Sequence, residues 1–216
     1  MFWQHIKLAW APLVILLLPS VVQAEEAPTT QRVEQLVRKY AFETDPKLNP
    51  QTRFRIRPLE VNGLWEQLKL QAFNVDFLDP NGTAFSETSV LYHEGKVNHL
   101  ARSFGGYGLM SGLVHNGAFY FTYSWGSGIH RSHVVKLQIA EGKLKRWESG
   151  GFMDLDLLVA AGLGGTVRVY SGERDDTGHW KQGKQIGTVE EAGPAELRIV
   201  DGGGRVIEPW SAPPTQ

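Results

Sequence analysis

The residues best suited to chemistry in this chain fall within one short stretch, Ser124-Trp-Gly-Ser127-Gly128-Ile-His130-Arg-Ser-His133. In a hydrolase, Ser127 would be the nucleophile, with His130 or His133 as its base. A nucleophile elbow, however, sets Gly-x-Ser-x-Gly between a strand and a helix. Here the glycines adjoin the serine and a second strand pattern follows. The plain alternative is a Gly/Ser connection between two strands.

Metal and cofactor chemistry find less support. His130 and His133 would share a face on a helix but point to opposite faces of a strand, and no metal site is expected. Asp154 and Asp156 would share a strand face, as acid/base work on a glycoside wants, but alternating exposed acids are commonplace. Gly162-Leu-Gly164-Gly165 lacks the third glycine and the following helix that a dinucleotide site needs. No cofactor is expected. The arrangement favoured by residue type is a contact surface. Tyr107, Tyr123, Trp125, His130, Arg131 and His133 gather near the ends of strand-like segments, where rings beside Arg and His suit a ligand or protein partner.

Those residues depend on the strands that carry them. In Ala118–Trp125, Phe119, Phe121, Tyr123 and Trp125 share one parity, so a strand lines them along one face. Asn116-Gly117 precedes this segment and Gly126-Ser-Gly128 follows it, which favours strand over helix. His133–Ile139 alternates in the same way, and Glu141-Gly142 turns the chain into Leu144–Ser149. A similar hairpin spans Ser89–Arg102, and Asp79-Pro-Asn-Gly82 is a turn by composition. Leu64–Leu78 fits either period and is expected to be mostly strand. Short strands are expected at 155–161, 166–170, 186–189, 197–200 and 205–207, and a mobile loop over Gly172–Gly183.

Thr30–Phe42 is the one helix expected, with Val33, Leu36, Val37, Tyr40 and Ala41 on one stripe. It is expected to cover an open end or edge of a sheet. Beyond it, Arg53, Arg55 and Arg57 alternate with Phe54 and Ile56. That row reads as a solvated strand face, with an anion-binding strip as the functional alternative. The fold expected is mainly β: a single-domain antiparallel meander, sandwich- or barrel-like, with one N-terminal helix. A small four-bladed β-propeller is the alternative, suggested by Glu-Gly-Lys recurring at 94–96 and 141–143.

Residues 1–24 read as a secretory signal peptide. Lys7 precedes an apolar run from Leu8 to Leu18, too short to span a bilayer, and Val22-Gln-Ala24 supplies small residues at a cleavage site. Cleavage leaves residues 25–210 as the domain and 211–216 as a tail, with no membrane span. The cleaved chain carries 21 Lys+Arg against 23 Asp+Glu, net −2, which gives no reason to expect a nucleic-acid partner. It has no cysteine, which excludes thiol chemistry and disulfides. The expectation is a periplasmic or secreted, non-enzymatic binding module for a protein, small molecule or glycan. A Ser/His hydrolase and a structural envelope protein without ligand are the alternatives.

Overall fold

Two tight turns set the frame of the fold. Asn116-Gly117 (φ 49° and 69°) and Glu141-Gly142 (φ 55° and 69°) both hold positive φ at their two central positions. Paired positive values twist a hairpin in the sense its strands prefer. The first turn joins β5 (Tyr107–His115) to β6 (Ala118–Trp125), and the second joins β7 (Arg131–Ala140) to β8 (Lys143–Ser149). The computed structural model describes residues 26–44, 48–100, 107–125, 131–153, 155–177 and 179–209. The expected signal peptide and the 211–216 tail lie outside them.

The described chain is mainly antiparallel β, in two sheets. The smaller sheet runs in order through β1 (Arg53–Pro58), β2 (Gln71–Leu78), β3 (Ala84–His93) and β4 (Lys96–His99). The larger has ten strands. β9 (Phe152–Met153), β10 (Leu157–Ala161), β11 (Val167–Arg174), β12 (Trp180–Gly193), β13 (Glu196–Val200) and β14 (Val206–Ile207) complete it. Its main path is β10-β11-β12-β13-β8-β7-β6-β5, with β14 on β13 and β9 on β7. The path bends back on itself: the Val159 amide of β10 donates to Ser111 Oγ of β5 at 2.9 Å. The sheet is therefore a nearly closed barrel. Its β8–β13 seam is parallel and brief, pairing Glu148 with Glu196 and Ser149 with Leu197.

Three cores hold these layers. Helix α1 (Thr30–Thr44) lays Val33, Val37 and Ala41 on Phe54, Phe73, Val75 and Phe77 of the small sheet. The opposite face of that sheet presents Leu70, Ala72 and Leu91 to the outer barrel wall, where Phe119, Phe121, Val135 and Leu137 meet them. The barrel interior is filled by Val134, Trp147, Phe152, Leu157, Val159, Val169 and Ile199. Strand β6 is thus buried on both faces. Fully burying a Phe side chain stabilises by about 1.5–3 kcal/mol, and three large rings of β6 contribute to the shared wall.

Several expectations change. The continuous ten-stranded sheet replaces the separate blades a propeller would need. Helix α1 covers a face of the small sheet, not an end or edge. Leu64–Leu78 is broken by a one-turn helix, α2 (Leu64–Leu68), bracketed by Gly63 (φ 77°) and Lys69 (φ 53°) in left-handed conformation. Gly172–Gly183 is largely a long hairpin: Arg174 pairs with Trp180, and its guanidinium lies 4.5 Å over the Trp180 ring. The row of arginines does face outward. Arg55 Nε and Arg57 Nη2 reach the buried Asp76 carboxylate at 2.6 and 2.8 Å, and Arg57 lies 3.4 Å from Glu87. Arg55 and Arg57 thus form an ion-pair ladder with Asp76 and Glu87 on the face that they share with Arg53.

Candidate functional site

Strand register sorts the expected site residues. Tyr107 opens β5 opposite Ser124, and Trp125 closes β6 opposite Arg131. Ser127, His130 and Asp154 lie outside the described residues. Arg131 is half-buried, while Tyr123 and His133, directly paired across β6 and β7, are buried. Their rings stack, with centroids 5.0 Å apart and planes 8° from parallel. Strand alternation sets both on the outer wall of the barrel, in line with Phe121 and Val135.

A carboxylate completes this pair. Glu148 pairs with Val135 in the β7–β8 register, which puts its side chain diagonally beside His133. The Tyr123 hydroxyl donates to Glu148 Oε1 at 2.5 Å, and Arg146 donates to Oε2 from Nε at 3.2 Å and Nη2 at 2.9 Å. Arg146 Nη1 also donates to the Leu100 carbonyl at 2.7 Å, tying the barrel wall to the end of β4. His133 Nδ1 lies 3.1 Å from the Ser149 carbonyl and 3.3 Å from Glu148 Oε1. Both neighbours accept, so Nδ1 carries a proton.

A buried carboxylate is costly unless charge and hydrogen bonds compensate it. Only 9 % of the Glu148 side chain is exposed, and its two oxygens are engaged by a phenol and a guanidinium. The arrangement fixes the upper ends of β6, β7 and β8 relative to one another. It also aims His133 by its Nδ1 side, as an acid does in a Ser-His-acid arrangement.

Glu148 and Arg146 were not visible as site residues in the sequence. They alternate with Trp147, and such a pattern reads as a solvated charged face. Further along the inner wall, Lys136 is buried with Nζ 2.5 Å from Glu191 Oε1 and 4.7 Å over the Trp147 ring. Burial and, after it, the Glu191 charge raise the Tyr120 hydroxyl above its usual pKa. Among the described residues no three His, Asp or Glu side chains gather as a metal site. No helix among them is long and apolar enough to cross a membrane.

Compared with protein families, characterised proteins and solved structures, the chain shows no significant match to any of them.

Proposed function

We propose that the chain is exported and serves as a non-enzymatic binding or protein-interaction module. Its contact surface is the end of the barrel where β6 and β7 meet. The observation that carries this reading is the stacked Tyr123–His133 pair, held by Glu148 directly beneath the Trp125–Arg131 rung. A rigid, buried support under an aromatic–arginine rung is what a preorganised contact surface requires. Export rests on the apolar run and the small residues ending at Ala24. It is tested by mass spectrometry of the exported protein, which should begin at Glu25. The contact surface is tested by comparing partner capture between the wild type and Arg131→Ala.

A hydrolase is the second reading, favoured by the Glu148 carboxylate at 3.3 Å from His133 Nδ1. It ranks second for two reasons. The same carboxylate is committed to Tyr123 and Arg146. The neighbouring hydroxyls of Ser124 and Ser132 belong to the opposite face of the strands from His133. A serine-directed fluorophosphonate probe that labels the wild type but not Ser127→Ala would put the hydrolase first.

A further inference from the structure

The β4 edge of the small sheet is open. The strand order ends there, and among the described residues no further strand pairs with it. The β3–β4 hairpin turns through Glu94-Gly95 (φ 48° and 75°), so His93 and Lys96 close it as a hydrogen-bonded pair. The Leu100 amide donates to the Ser89 carbonyl at 2.9 Å, which keeps the same alternation to the end of the strand. Lys96, Asn98 and Leu100 thus turn their backbone groups toward β3, and Val97 turns its amide and carbonyl outward. Val97 is 7 % exposed, and among the described residues neither outward group has a hydrogen-bond partner. Buried backbone groups are nearly always paired, so this edge lacks a strand.

An open groove of about 340 Å³ runs along the same edge, between Gly95–Asn98 and the α1 residues Leu36, Lys39, Tyr40 and Glu43. These four helix positions follow i, i+3, i+4, i+7, a stripe separate from the Val33, Val37 and Ala41 that seat the helix on the sheet. We propose that the groove takes an extended peptide segment of another protein, which adds a fifth strand to the sheet beside β4. The surface lies on the small sheet, apart from the Trp125–Arg131 rung, and does not depend on it. Side chains of an added strand alternate between two faces. Those toward α1 meet the half-buried Leu36 and Tyr40, so they are apolar. Those on the other face lie beside the exposed Lys96 and Asn98. Lys39 is 3.8 Å from Glu43, whereas Lys96 has no carboxylate partner among the described residues, so these side chains are acidic. Lysine on an edge strand works against pairing with a second copy of the same edge. The occupant is therefore a peptide that alternates apolar and acidic residues.

The test uses the mature chain and the capped peptide acetyl-Leu-Glu-Val-Glu-Leu-Glu-amide, followed by the Val97 amide in chemical shift and hydrogen exchange. The peptide should shift Val97 saturably and slow its exchange at least about tenfold, as a new hydrogen bond on that amide requires. The same peptide methylated on its backbone nitrogens should bind at least about tenfold more weakly, because it cannot donate to β4. Replacing its three Glu by Lys should weaken binding about fivefold, and Lys96→Glu should reverse that preference with its thermal midpoint unchanged. Arg131→Ala should bind the peptide like the wild type. Absence of a saturable Val97 shift, equal binding of the methylated peptide, or an unchanged charge preference in Lys96→Glu would each overturn the proposal. A dimer that protects the Val97 amide without any peptide would also overturn it, and would assign the edge to a second copy of the chain.

Discussion

Tyr123 on β6 and Glu148 on β8 are joined across the intervening strand by a 2.5 Å hydrogen bond from phenol to carboxylate. Strand β7 lies between them and contributes His133, stacked on the same phenol ring. Three strands are thereby locked at one level of the barrel wall, under the small sheet. The lock is mechanical in its effect: it fixes where β6 ends and β7 begins.

Removing the carboxylate should therefore be expensive. Glu148→Ala leaves Arg146, His133 and Tyr123 without their common acceptor in a buried place, and should cost about 3–5 kcal/mol. Tyr123→Phe removes one hydrogen bond and should cost about 1–2 kcal/mol. Urea unfolding of the two variants checks the order. Equal losses would show that Glu148 is not the hub.

The shared wall can be probed away from the polar cluster. Phe121 is fully buried between the barrel and the small sheet, against Phe119 and Tyr123. Phe121→Ala should cost about 3–5 kcal/mol. A loss below about 1 kcal/mol in urea unfolding would mean that the small sheet does not bear on this strand in solution.

Much of this wall was legible in the sequence, and the reasons are local. The parity of Phe119, Phe121 and Tyr123 and the Asn116-Gly117 turn depend on neighbouring residues alone, and β6 forms where they indicate. What could not be read depends on distant parts of the chain. Alternation leaves Arg146 and Glu148 on a face that sequence alone assigns to solvent, and the small sheet, far away in the chain, covers it. For the same reason Tyr123 and His133, which suit a rim by type, are buried. Leu64 and Leu68 satisfied helix and strand periods equally, and only the left-handed residues at Gly63 and Lys69 decide for a helical turn.

One histidine links stability to pH. His99 on β4 meets the Tyr40 ring of α1 edge-on, with centroids 4.9 Å apart, and burial lowers its pKa below the ordinary 6.5. The neutral ring is therefore favoured in the fold. Its contribution is fully present above about pH 6.5 and is lost as pH falls through the lower folded value. Stability measured by urea between pH 7.5 and 5 should decline for the wild type and decline less for His99→Phe. Identical slopes for the two proteins would remove His99 from the acid response.

The contact surface itself is tested most directly by fraction of partner retained. The mature wild type, Arg131→Ala and Trp125→Ala would be immobilised at equal density and challenged with one envelope extract of the source cells. Ser127→Ala serves as the internal control, with thermal midpoints held within a few degrees throughout. The account predicts a saturable captured species that Ser127→Ala keeps and that both Arg131→Ala and Trp125→Ala retain at least about tenfold less well, a loss of roughly 1.4 kcal/mol. Equal retention by all four proteins, or fluorophosphonate labelling of the wild type that disappears in Ser127→Ala, would contradict it.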